Sequence, residues 1–140
     1  MRKSPLGLLT LILVLGGCHR SPDLENRKSL AGTWISSRNF PEGGDFRSST
    51  TIDQSGNYAA DLLVHFHGGT QSFQMRGTMV ISNGMLVDTM VAYTSTNAPN
   101  LPRTDRARIV RFTENELVVN YGGDHGMTND VVLRREGKQR

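Results

Sequence analysis

From Leu30 to Arg135 the chain alternates apolar and polar residues with a period of two, and turn-forming residues interrupt the alternation. A period of two places alternate side chains on opposite faces of a strand, so this region can fold only as half-buried β structure. Strands are read at Thr33–Ser37, Phe46–Ile52, Asn57–Phe66, Thr70–Ile81, Met85–Tyr93, Arg106–Phe112, Glu116–Tyr121 and Asn129–Arg135. On the third, Tyr58, Ala60, Leu62, Val64 and Phe66 share a face opposite Asp61 and His65. On the fourth, Phe73, Met75, Met79 and Ile81 share a face that Gly77 interrupts, which points to a bend or bulge. Val87, Val91 and Tyr93 are taken as in phase on the fifth.

Asp53-Gln-Ser-Gly56, Gly68-Gly69 and Thr113–Asn115 are turns, and Asn83-Gly84 between two alternating runs is a hairpin signal. Longer loops are expected at Phe40–Asp45, Ser95–Thr104 and Gly122–Met127. The fold class is therefore all-β: an antiparallel up-and-down meander of about eight strands. Closing it into a barrel removes two exposed edges; a small two-sheet sandwich is the alternative. No helical period runs through this region, and no internal repeat is present.

The N-terminus has a different character. Arg2-Lys3 precedes the apolar run Leu6–Leu15, and Gly16-Gly17 comes just before Cys18. This is the order of a secretory signal peptide over residues 1–17. A ten-residue helix rises roughly 15 Å, about half the thickness of a bilayer core, which argues against a transmembrane span. Residues 18–29 are polar and read as a tether, with one short helical turn near Leu24–Leu30; residues 136–140 form a charged tail.

Leu15-Gly16-Gly17-Cys18 resembles the lipobox of bacterial lipoproteins. The resemblance implies a diacylglycerol on Cys18, cleavage before it and acylation of the new amine, so that the membrane is the partner through the anchor. His19, with no Asp in its place, implies the outer membrane facing the periplasm where the host is Gram-negative. The other readings are a plain signal peptide that ends near a cysteine, or a free buried thiol. Cys18 is the only cysteine, so the mature fold cannot rest on disulfides. Removing residues 1–17 lowers Lys+Arg from 16 to 14 against 13 acids. The apparent basicity thus belongs largely to the leader, and net charge offers no support for nucleic-acid binding.

Gly32-Thr33-Trp34 at the first strand, Asp53–Tyr58 at a turn before an aromatic strand, and Leu117-Val118-Val119 resemble the pattern of lipocalins and of the small lipocalin-like domains of bacterial lipoproteins. The resemblance spans about residues 30–135 and implies a lipocalin-like barrel. Trp34 would lie across its closed end, with an arginine from beyond the last strand packed over it. The signature set is Gly32, Trp34 and Arg134, with Arg135 the neighbouring candidate. The domain is shorter than a full lipocalin and lacks a C-terminal helix. In another small β fold, Trp34 would simply be a core residue.

Residues suited to chemistry are few. His65 and His67, two apart on a strand, could join Asp124-His125 in holding Zn²⁺ or Cu²⁺. Their shared parity with Asp61 instead favours a solvated outer face. No Gly-x-Ser-x-Gly is present, and the glycine pairs lack the Lys-Ser/Thr of a phosphate loop. Met75, Met79 and Met85 are candidates for an adaptable apolar cavity or for ordinary core filling. Arg103, Arg106, Arg108 and Arg111 would either meet anionic lipid headgroups or guard a strand edge.

The expectation is a lipid-anchored envelope protein without catalytic or cofactor residues. Its barrel would bind a small apolar molecule or an envelope protein. Two alternatives stand beside it: a metal-dependent enzyme or factor using His65, His67 and His125, and a filled-barrel structural or inhibitory protein.

Overall fold

Eight strands pair in chain order, and the last closes on the first. In the computed structural model, which describes residues 26–27, 29–95, 100–123 and 130–137, they form a closed antiparallel barrel. The strands are β1 (Gly32–Asn39), β2 (Asp45–Ile52), β3 (Asn57–Phe66), β4 (Gly69–Ser82), β5 (Met85–Tyr93), β6 (Arg103–Phe112), β7 (Glu116–Asn120) and β8 (Val131–Arg135). The seam is short: Trp34 faces Arg135 and Ile35 faces Arg134 across β1 and β8. The closed meander replaces the sandwich alternative, and the seam joins the two edge strands at these two residue pairs. Cys18, His125, Asp124 and Asn129 lie outside the described residues.

Local chemistry sets the turns. Asp53 Oδ1 accepts hydrogen bonds from the Ser55 and Asn57 amides at 2.8 and 2.9 Å. The Asn57 side-chain amide donates to Oδ2 at 3.0 Å and is the main cause that holds the Asp53 carboxyl below its usual range. Asn83 and Gly84 both adopt positive φ, 52° and 73°, the conformation that a two-residue hairpin with the twist of its strands requires.

Two bulges set which residues face inward. Between β4 and β5, Arg76 pairs with Ala92 but Gly77 with Met90, which leaves Val91 extra. Between β6 and β7, Ile109 pairs with Val119 and Arg111 with Val118, which leaves Val110 extra. Val91 and Val110 are accordingly among the exposed large apolar residues. This corrects the phase read for β5. Ile81 faces Leu86, so Leu86, Asp88 and Met90 point inward, while Val87 and Val91 point out and Tyr93 returns to the inner face past the bulge. Met85 faces Ser82 on the outside, and only Met75 and Met79 of the three expected methionines line the interior.

The core is densest at the end where β1 begins. Residues 26–27 and 29–30 form the expected helical turn, but Leu30 is fully buried and belongs to the core, together with Trp34, Ile52, Ile81 and Leu117. Among the described residues no helix is long and apolar enough to cross a membrane.

Candidate functional site

The two ends of the barrel differ. At one end Trp34 is fully buried, its Nε1 donates to the Leu30 carbonyl at 2.8 Å, and the Phe112 ring lies 6.3 Å away. The Arg135 guanidinium covers the indole at 4.3 Å from its centroid and donates to the carbonyls of Ser29, Ala31 and Glu114. Cation–π attraction thus combines with satisfaction of carbonyls at the end of the helical turn. Gly32 has φ 137°, and a Cβ there would fall 2.5 Å from Arg135 Nη1, so the glycine of the Gly-x-Trp motif makes room for the guanidinium. The covering residue is Arg135 and not Arg134. Arg134 shares the outer face with Glu116, 3.6 Å from its Nε, because inner and outer positions alternate along β8.

At the other end burial fades. Along the inner face of β3, Tyr58 and Ala60 are buried, Leu62 and Val64 are partly exposed, and Phe66 is 42% exposed. Along β4, Ile81, Met79 and Gly77 are buried while Met75 and Phe73 are partly exposed. Phe73 and Tyr93 stack at 5.6 Å on this side. The described barrel is therefore a cup, plugged at the Trp34 end.

Polar groups sit within the cup. The β5–β6 ladder orders them by depth: Met90 opposite Arg103, then Asp88 opposite Asp105, then Leu86 opposite Ala107, the last pair buried. Arg103 Nε donates to Asp105 Oδ1 at 3.1 Å. Arg103 therefore stands apart from the expected arginine cluster: Arg106 and Arg108 are exposed on the outer face, and Arg111 pairs with Glu116. Tyr58 reaches the same region because it faces Gly77 across β3 and β4. A Cβ on Gly77 would lie 2.0 Å from the Thr89 carbonyl oxygen and 2.9 Å from the Tyr58 ring. The glycine thus admits the close approach of β5 and seats the ring.

Tyr58 Oη and Asp88 Oδ1 are both sealed from solvent. They are hydrogen-bonding neighbours that perturb one another, although neither atom meets a partner in full hydrogen-bond geometry among the described residues. Burial, followed by the neighbouring Asp88 carboxylate, pushes the Tyr58 hydroxyl far above its ordinary range. Burial pushes the Asp88 carboxyl up to about 6, Asp105 adds to the rise, and Tyr58 and Arg103 oppose it. Tyr121 is pushed up to about 12, first by burial and then by Asp88 and Asp105. The sequence hides this group because a phase that turns Val87 inward implies an outward Asp88. The Asn83-Gly84 turn held the missing signal: a two-residue loop pairs Ser82 with Met85, and even-numbered residues of β5 must then face inward.

His65 and His67 are separated from this site. His65 Nδ1 lies 3.0 Å from Asp45 Oδ1 on the outer face. β3 ends at Phe66, so His67 lies in the turn beyond it, with its ring against Gly43. Among the described residues no three His, Cys, Asp or Glu side chains gather in a way that would hold a metal.

No family model matches the sequence. No curated protein matches it either. The fold is shared with a solved structure. A protein from Bacteroides uniformis ATCC 8492, determined by NMR, superposes with a TM-score of 0.50 over 80% of this chain and 93% of its own, at 15% identity. At that identity the likeness concerns the fold alone.

Proposed function

We propose that this chain is a lipid-anchored bacterial envelope lipoprotein whose barrel is a non-catalytic binding module, and that its ligand enters the open end of the cup. The observation that carries the reading is the difference between the two ends: an inner face sealed around Trp34 and a partly exposed apolar inner face at Leu62, Val64, Phe73 and Met75. A barrel of eight strands is wide enough to hold one small ligand. Burial of apolar surface, at about 25 cal/mol per Å² removed from water, would supply the affinity. The Gly32–Trp34–Arg135 arrangement supports the lipocalin-like reading of the plug.

The anchor is part of the same proposal and rests on Leu15–Cys18 alone. Palmitate labelling of the expressed protein should mark the wild type and not Cys18→Ser, which should also leave the detergent phase. Equal labelling of the two would remove the anchor from the reading. The binding function is tested by native mass spectrometry of the purified protein and by titration with a neutral apolar dye. Expected are a copurified small molecule or a saturable, single-site rise in dye emission; a barrel that takes up neither is not a binding module.

A further inference from the structure

We propose that the cup selects an amphipathic primary amine, its ammonium head seated between Asp88 and Tyr58 and its apolar chain directed toward the open end. The inference rests on the binding reading above and names the chemical class of the ligand.

Tyr58 is only 5% exposed, and neither its hydroxyl nor Asp88 Oδ1, directly below the Met90–Arg103 row, meets a partner in full hydrogen-bond geometry among the described residues. Burying a polar atom without a well-formed hydrogen bond is costly, so two neighbouring groups in this state gain from one ligand group that can serve both. The charge of the surroundings decides which group. Asp88 is faced by Tyr58 from β3, by Asp105 and Arg103 from β6, and by Tyr121 from beyond β7. Arg103 is engaged with Asp105 at 3.1 Å. With Asp88 ionised the group holds, among the described residues, two carboxylates against one guanidinium. An anionic head is therefore repelled, whereas an ammonium brings the missing positive charge and three donors, one for Asp88 Oδ1 and one for Tyr58 Oη.

The remainder of the ligand is set by the lining above. Met90, Met75 and the stacked Phe73–Tyr93 pair occupy the inner face between the polar row and the open end. Flexible thioether side chains and aromatic faces suit an alkyl chain. A water molecule could satisfy the two unpaired atoms, but it would not neutralise the carboxylate.

The test compares octylammonium, octanol and octanoate, which differ only in the head, by calorimetric titration of the full chain, with Asp88 followed by its carboxyl ¹³C resonance. Expected at pH 7.5 is octylammonium binding at least about tenfold tighter than octanol, with octanoate weakest, as for a group that satisfies a buried charge. At pH 5, where free Asp88 is mostly protonated, saturation with octylammonium should drive the Asp88 resonance toward its ionised position. Because only ionised Asp88 holds the cation, amine affinity should fall about tenfold between pH 7.5 and pH 5, with octanol unaffected. Asp88→Asn should remove the amine preference while keeping octanol binding, which shows that the barrel is intact. Tyr58→Phe, which keeps the ring against Gly77, should weaken the amine alone. Equal affinity for the three heads, or unchanged amine binding by Asp88→Asn, overturns the inference and leaves the binding reading standing. Failure of all three probes and of the neutral dye overturns both.

Discussion

Trp34 and Asp88 show how a single side chain can serve either stability or function. Trp34 is fully buried between Leu30, Phe112 and the Arg135 guanidinium. Truncation of a residue so placed costs about 3–5 kcal/mol, a large share of the roughly 5–15 kcal/mol a domain has. Trp34→Ala should lower the urea midpoint severely or leave the chain unfolded. In the wild type this single tryptophan should emit to the blue, resist iodide and shift red on unfolding. Native emission that iodide quenches readily would put Trp34 in solvent. Asp88 acts in the opposite sense. Its folded-state carboxyl titrates near 6, above the ordinary 3.8. Between those values the folded chain binds more protons than the unfolded one, so stability falls as pH rises from about 4 to 6 and the full penalty stands above 6. Two units correspond to at most about 3 kcal/mol. Asp88→Asn should therefore be more stable than the wild type at pH 7.5 and flatten this part of the pH profile in urea titrations. A drop in stability at pH 7.5 would show that the carboxylate is held by favourable contacts.

At the scale of elements, the glycines separate turn geometry from packing. Gly77 has no unusual φ, yet a Cβ there meets the Thr89 backbone oxygen and the Tyr58 ring. Gly77→Ala must displace β5 at its bulge, and overpacking of this kind costs about 1–3 kcal/mol or more. Gly68→Ala meets nothing within 4 Å and should be neutral or slightly stabilising, by about 0.4–1 kcal/mol through the unfolded chain. Chemical denaturation of the two variants checks the contrast; similar losses in both would mean that Gly77 is needed only for flexibility. The same hairpin shows where reading from sequence succeeded and where it failed. Asn83-Gly84 announced the turn, and the limits of β3 and β5 were legible from alternation. The phase of β5 was not, because Val87 and Val91 are more apolar than Asp88 and Met90, and hydrophobicity alone sends the valines inward. The two-residue turn overrides that preference through backbone pairing.

At the scale of the whole molecule, closure depends on strands from opposite ends of the chain. β8 pairs with both β1 and β7, and it carries Leu133 into the core and Arg135 over Trp34. A chain ended after residue 130 should expose the edges of β1 and β7 and uncover the plug. Size-exclusion chromatography with light scattering should then find oligomers or aggregates; a monomer with native tryptophan emission would show that the seam is dispensable. Period-two alternation and turn residues determined, by themselves, that this chain is an eight-stranded antiparallel meander, since side-chain parity and turn conformation are local properties of the backbone. The Gly-x-Trp motif also marked the plug residue in advance. Only the tertiary structure decided that Arg135 and not Arg134 covers it, that Leu30 closes the end beneath it, and that Asp88, Tyr58, Asp105 and Arg103 meet inside. Those outcomes depend on pairing between strands distant in sequence, which seats β8 beside β1 and brings the inner faces of β3, β5 and β6 to one place.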